Sequence, residues 1–478
     1  MWKSLNIAPD LVENIHGVSV ADPYRWLEDR SSVETTRWIA QQQESFQEYF
    51  RRIQFMYPLR QRVQEFADVE TIDQIGKVRN RYFYRKRSIG QEQASVYVLD
   101  SADNLERVLV DASGRDAFAS IGIYVISSDA SLLAYEVKQG GEHSKAIHFI
   151  DVNTGQPLPD HLDRGLARGV ILRTANDGFY YCHEISDDSA ARQRGHVVGF
   201  HRFGTPVEVD LQLLTLPRTR SSKLVLTNEG ESLGAIYCHE HEGLSVVDLY
   251  GSRQDLDHIW NPVCLNRPAP FSPFFFRGRL FAHEFENAPN GEIVELDFIT
   301  GRPVRIVVPE WNRRTEQCSI VNGGLYVSYI VGTETIVRIW SFDGDYLGTL
   351  PLEEGYTWDL VPGYASEVDE LLLQSESFTS PPTIFRYLPS THQRIVWNRR
   401  HAPSSRRTYA MRKHTYASKD GVQISISLLG ALNDDLAECR PTIMTAYGGF
   451  GITMTPQYST FISVLLEFGL PCSDRLDP

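Results

Sequence analysis

Seven copies of one short pattern, spaced at nearly equal intervals, constrain this chain more than any other feature. Each copy is a polar turn followed by an apolar or aromatic strand. The copies are Asn80-Arg81-Tyr82-Phe83-Tyr84, Ser128-Asp129 leading to Leu132-Leu133-Ala134-Tyr135, Asp177-Gly178-Phe179-Tyr180-Tyr181, Glu229-Gly230 leading to Ala235-Ile236-Tyr237, Arg277-Gly278-Arg279-Leu280-Phe281, Gly323-Gly324-Leu325-Tyr326-Val327 and Val368-Asp369-Glu370-Leu371-Leu372. Their starts, near 80, 129, 177, 229, 278, 323 and 369, lie 45 to 52 residues apart, close to the roughly 40–50 residues of a four-stranded propeller blade. A second strand and a hairpin recur at one place in the repeat, as Ala146–Asp151 with Asn153-Thr154-Gly155, Ile293–Asp297 with Thr300-Gly301, and Ile336–Trp340 with Asp343-Gly344. Tyr181-Cys182-His183-Glu184 and Tyr237-Cys238-His239-Glu240 match one repeat apart. From Arg79 to Gln393 helical periodicity is almost absent. The expected fold is therefore mainly β, a seven-bladed β-propeller. A large β-sandwich also uses short strands and turns, but regular spacing over seven copies disfavours it.

Length and composition narrow the function classes. A chain of 478 residues exceeds one ordinary core. An apolar fraction of 42% with 11% aromatics is that of a folded, globular protein. A formal net charge of -14, with no Lys/Arg block to offset it, repels phosphates and argues against nucleic-acid and anionic-membrane partners. No export signal opens the sequence and no run of eighteen apolar residues occurs, so no membrane span is expected. Cys182, Cys238, Cys264, Cys318, Cys439 and Cys472 are scattered singly, without the spacing of a zinc site or disulfide framework. They read as reduced thiols in a cytoplasm. No metal and no cofactor is expected.

The flanks have another texture. Ser31 with Glu34 forms a candidate capping box, and Trp38, Ile39, Gln42, Phe46, Tyr49, Phe50 and Ile53 then fall on one helical face. After Tyr409, His414–Ser418, Val422–Leu429 and Thr442–Ala446 read as strands, the first two joined by a turn at Lys419-Asp420-Gly421. Ser459 or Thr460 caps a helix through Phe461, Val464, Leu465 and Phe468, with Gly469 as its stop. Leu470–Pro478 forms no recognisable element. A stub of this size closes no core alone; it packs on the N-terminal helix, on the propeller, or on something that is missing.

These flanks carry a resemblance. Asp22-Pro23-Tyr24-Arg25-Trp26-Leu27-Glu28-Asp29, followed by Glu34-Thr35 and Trp38, is similar to the N-terminal signature of the prolyl oligopeptidase family. Ser418-Lys419-Asp420-Gly421 and Tyr447-Gly448-Gly449-Phe450 resemble that family's entry into its hydrolase domain, with Ala446 standing where the family usually has Gly. The resemblance implies an α/β-hydrolase domain formed from both chain ends and incomplete here. The implied domains are a helical part of the peptidase domain at 1–70, the propeller at 71–405 and the opening of the hydrolase domain at 406–478. It also implies a propeller that restricts a Ser-His-Asp peptidase to short peptides, cleaved after proline. Tyr447 would donate to the oxyanion and Phe450 would line the pocket for the proline ring.

The triad itself is not found. No histidine follows Tyr447, and the lone G-x-S-x-G, Gly230-Glu231-Ser232-Leu233-Gly234, lies inside a propeller repeat, where a hairpin turn is expected rather than a strand-to-helix elbow. His239-Glu240-His241 beside Cys238 offers too few ligands on one strand face for a metal. Asp22–Asp29 reads as an ion-pair and packing motif. The polar Pro471-Cys472-Ser473-Asp474-Arg475, where the family has an apolar strand, suggests a broken frame. The chain is thus expected to be a serine-type peptidase truncated before its nucleophile and inactive alone. The alternatives are a stand-alone propeller used for protein binding, or half of a split peptidase whose C-terminal catalytic half acts in trans on short proline-containing peptides.

Overall fold

The computed structural model describes residues 12–476 apart from 54–55, 103, 116–117, 141–144, 185–194, 220, 255–258, 362–368, 404–407, 433–440, 450–452 and 469–471. The chain divides into two compact units, Met1–Glu65 and Phe66–Pro478.

In the first unit an antiparallel hairpin of Val12–Ile15 and Val18–Ala21 precedes a 3-10 turn at Arg25–Glu28 and helix α1, Val33–Arg51. The helix cap is Ser32, whose hydroxyl accepts from Thr35 N at 3.1 Å. The box expected at Ser31 and Glu34 is displaced by one residue. Asp29 Oδ1 captures both the backbone N–H of Ser31 (3.1 Å) and its hydroxyl (2.8 Å), so Ser31 belongs to the preceding turn. Thr35 is buried and donates to the Trp26 carbonyl at 3.1 Å, and Trp26 meets Trp38 edge to face at 6.2 Å. Helix α2, Met56–Ala67, follows and leads into the second unit.

The second unit is a seven-bladed propeller followed by a small sheet. Blade 1 is Thr71–Val78, Arg81–Arg87, Ser95–Asp100 and Leu105–Val110, each strand antiparallel to the next. Blades 4 to 7 repeat this order over 223–268, 271–308, 315–349 and 357–399. Blades 2 and 3 are fused into one seven-stranded sheet, because Pro157–Leu172 pairs with Lys145–Asp151 along its first part and with Gly178–Glu184 along its second. In every repeat the pattern read from the sequence is the second strand and the turn before it. The recurring hairpin is the link from third to fourth strand. In two blades an Asp-x-x-Thr-Gly turn builds it: Asp151 Oδ1 accepts from Thr154 N and Oγ1 at 2.7 and 3.0 Å, and Asp297 Oδ1 from Thr300 at 2.7 and 2.8 Å.

The core lies between blades rather than within them, since a lone four-stranded sheet has two apolar faces and nothing to cover them. Phe83 and Val98 of blade 1 pack on Ile121 and Leu133 of blade 2; Phe149 meets Phe179, with ring centroids 4.5 Å apart, between blades 2 and 3; Phe276 stacks on Phe342 at 4.1 Å between blades 5 and 6. The ring closes where Ile75, Tyr82 and Tyr84 of blade 1 pack on Leu372 and Ile384 of blade 7. Each of these two blades is built from its own four consecutive strands, and among the described residues no strand pairing joins the first blade to the last.

Beyond blade 7, Tyr409–Ala417 and Gln423–Ala431 form an antiparallel pair. Cys472–Leu476 adds antiparallel to Gln423–Ala431, and Ile443–Thr445 adds parallel to Cys472–Leu476. The expectation that Leu470–Pro478 holds no element is therefore corrected. Cys472–Leu476 is a strand between two others, because pairing on both sides satisfies its backbone whatever its side chains. Helix α3, Thr460–Glu467, takes Ser459 of the two expected residues as its cap, the Ser459 hydroxyl accepting from Ile462 N at 3.3 Å; Gly469 lies outside the described residues. The sheet and helix pack on the propeller: Leu429 and Leu466 cluster with Phe378, Glu376 accepts from Tyr458 N at 2.8 Å, and Lys413 pairs with Glu334 at 2.9 Å.

Candidate functional site at the open edge of the C-terminal sheet

Parallel strands present ligands at their carboxyl ends. Among the described residues Ile443–Thr445 is the edge strand of the C-terminal sheet, parallel to its one partner there, with all three residues exposed. Two residues beyond its carboxyl end stands Tyr447, 53% exposed, followed by Gly448 at φ +63°, a left-handed conformation that favours glycine. Tyr447 is thus carried off the end of a parallel strand with its phenol ring open to solvent. Phe450 lies outside the described residues.

The acidic-aromatic segment near the N-terminus is an ion-pair cluster. Arg25 bonds Glu13 at 2.6 Å, Asp22 at 2.8 Å and Glu28 at 3.3 Å, and the Arg25 side chain beside Asp22 lowers that carboxyl below the ordinary carboxylate range. Its carboxylates neutralise a guanidinium and fix the turn into α1.

Ser232 of the G-x-S-x-G match opens the strand Ser232–His241 and pairs with Glu229 across a turn whose Gly230 sits at φ +53°. It is 5% exposed and precedes a strand rather than a helix, so it is the hairpin residue the sequence suggested. His239 shares a face with Tyr237, on whose ring it stacks at 4.5 Å, and its Nε2 lies 3.0 Å from Asp248 Oδ2. That is a complete local arrangement, and among the described residues no group of three His, Cys, Asp or Glu side chains is arranged to hold a metal ion.

Two histidine contacts escaped the sequence reading. His196 Nε2 lies 2.8 Å from Ser222 Oγ, a Ser-His pair with both partners buried. Ser222 Oγ also accepts from Thr219 N at 2.8 Å, which makes it the lock of a turn and gives a substrate no access. His201 is buried between two aspartates, with Nδ1 2.7 Å from Asp210 and Nε2 3.1 Å from Asp160, and ties blade 2 to blade 3. Asp160 is 41 residues away in sequence, so no spacing rule signals that contact.

Residues 6–400 match the prolyl oligopeptidase N-terminal β-propeller domain. The chain belongs to the prolyl oligopeptidase family. It is 24% identical to the prolyl endopeptidase of Elizabethkingia miricola over 469 residues, which cover 95% of this chain and 65% of that protein. Against the prolyl endopeptidase of Elizabethkingia meningoseptica the identity is 25%, with the same coverage. The chain thus spans about two thirds of the length of these relatives, slightly under that fraction. A solved prolyl endopeptidase structure superposes with a TM-score of 0.88 over 99% of this chain and 71% of its own, at 24% identity, and shows the same fold. Among the described residues no helix is long and apolar enough to cross a membrane.

Proposed function

We propose that this polypeptide is the propeller and the opening of the hydrolase sheet of a cytoplasmic serine peptidase that cleaves short peptides after proline, with the Ser, Asp and His supplied from outside its 478 residues. The observation that carries this reading is the parallel edge at Ile443–Thr445, which pairs on one side only among the described residues, with the exposed Tyr447 two residues past its carboxyl end. A nucleophile elbow on a strand added at that edge would put its serine next to Tyr447. The phenol would then donate to the oxyanion of the tetrahedral intermediate, a contact worth roughly 3 kcal/mol, and Phe450 would line the proline pocket. By itself the chain is inactive, because its one G-x-S-x-G serine is buried in a hairpin and no histidine follows Tyr447.

Two measurements test this. The purified chain is treated with a serine-directed phosphonate and assayed on a chromogenic proline peptide, where neither labelling nor turnover is expected; covalent labelling would overturn the inactive reading. The chain is then mixed with the C-terminal third of a related prolyl endopeptidase, or the DNA around codon 478 is read in all three frames for an elbow followed by Asp and His. Turnover on mixing, or a triad in the adjacent frame, supports a peptidase made from two pieces or two frames; neither leaves the propeller as a binding module.

A further inference from the structure

Among the described residues, no carboxylate pairs with one arginine of blade 6. Arg338, on the third strand of that blade (Glu334–Ser341), lies with its guanidinium carbon 5.0 Å from the ring of Trp311, 5.0 Å from Trp340 and 4.6 Å from Tyr346. Three aromatic faces around one guanidinium form a cage that fixes its plane. Trp311, which belongs to the link from blade 5 to blade 6, is braced edge to face on Tyr329 at 5.0 Å, and Tyr346 stands on the outermost strand, 48% exposed.

Several arginines of this acidic chain, such as Arg25, Arg279, Arg305 and Arg386, are paired with carboxylates. Among the described residues Arg338 has no carboxylate within ion-pair distance, and neither do the exposed Arg313 and Arg314 two and three residues after Trp311. Of the acids nearest in sequence, Glu310 accepts from Asn290 N at 2.8 Å, Glu334 pairs with Lys413 at 2.9 Å, and Glu316 attracts Arg314 without reaching ion-pair distance. The cage also contains Trp340, whose buried Nε1 finds no acceptor among the described residues, and the same holds for the hydroxyl of the bracing Tyr329.

Arg338 gives one N–H to the Tyr346 hydroxyl, and a guanidinium held on rings presents its remaining N–H groups in a planar fork that matches a carboxylate. Because the rings already hold the side chain, little rotamer freedom is lost when a ligand binds. We propose that the Arg338 cage, flanked by Arg313 and Arg314, is a docking site on the outer edge of blade 6 for carboxylate side chains of an acidic peptide segment. The planar N–H edge of a ring-held guanidinium matches a planar carboxylate, and the exposed Arg313 and Arg314 supply further positive charge beside it, which favours an acidic peptide. The site is independent of any catalytic step.

The test uses the whole chain at low ionic strength with acetylated, amidated hexaglutamate, read by tryptophan emission and by titration calorimetry. Hexaglutamate is expected to bind and to shift the emission of the cage tryptophans, and uncharged hexaglutamine is not. Arg338→Ala should weaken binding about ten- to a hundredfold, the effect of losing a charge-assisted pair. Arg338→Lys, which keeps charge and stacking stem but loses the fork, should lose most of it while remaining folded by circular dichroism, and Arg314→Ala should weaken binding less. The exposed Arg412→Ala, in the C-terminal sheet, is the charge control. The proposal fails if hexaglutamate does not bind, if Arg412→Ala weakens binding as much as Arg338→Lys, or if a single-stranded oligonucleotide binds the same cage more tightly than the peptide.

Discussion

The phenol of Tyr82, in the first blade, donates a hydrogen bond to the carboxylate of Glu370, in the seventh, joining residues 288 apart in sequence across the seam that closes the ring. Glu370 is 2% exposed, and Lys77 (3.3 Å) and Arg386 (2.6 Å) complete its shell. Removing the carboxylate would take from Arg386 its ion-pair partner and leave Lys77 only Asp369, at 3.7 Å. Glu370→Gln is expected to destabilise the chain by about 3–5 kcal/mol and Tyr82→Phe by about 1–2 kcal/mol. Urea unfolding of both variants and of the double mutant checks this; additive losses would show that the two groups do not act on each other.

Two glycines in equivalent hairpins should differ sharply in tolerance. Gly155 at φ +68° and Gly301 at φ +64° both end an Asp-x-x-Thr-Gly turn. A Cβ on Gly155 meets nothing nearer than Arg107 Nη1 at 3.9 Å, whereas one on Gly301 overlaps the Val263 carbonyl oxygen of the neighbouring blade. Gly155→Ala should cost about 1–2 kcal/mol, the left-handed penalty, and Gly301→Ala more than about 3 kcal/mol, because backbone must move as well. Equal losses in unfolding midpoint would contradict the difference in contact.

Acid should weaken the fold through His283. Burial, with the Arg314 guanidinium adding to it, holds this imidazole down to about 4, against an ordinary value near 6.5. The folded state therefore keeps His283 neutral while the unfolded chain takes up a proton as the pH falls through about 6.5. Its share of stability is complete above that pH and is lost progressively down to about 4, reaching some 3 kcal/mol. His283→Gln should make the unfolding midpoint less sensitive to pH across this window. An unchanged slope between pH 7 and 4.5 would remove His283 from the account.

Tyr447 separates function from stability. With its ring half in solvent, Tyr447→Phe should leave the unfolding midpoint within about 0.5 kcal/mol. In a peptidase reconstituted on this chain it should lower kcat by about a hundredfold with little change in KM, as for loss of an oxyanion donor. A variant that keeps full kcat would assign the residue to packing.

Blade number and the hairpin nature of Ser232 were legible in the sequence because each is written within one repeat of about 50 residues. So were the Ser459 cap and the Asp22–Asp29 ion-pair cluster, which rest on neighbours a few positions away. The capping serine of α1 was misplaced by one residue because Asp29 competes for Ser31, a contest that the spacing of polar residues does not resolve.

Tertiary structure alone decided the rest: the fusion of blades 2 and 3 through Pro157–Leu172, the seam at Tyr82 and Glu370, the burial of His201 between Asp160 and Asp210, the cage around Arg338, and the strand Cys472–Leu476. The division has one physical cause. Local periodicity sets which face of a strand is apolar and where a turn can form, and the sequence carries it directly. Which faces, ions and strands meet is set by contacts tens to hundreds of residues apart, whose free energy exists only once the ring has closed.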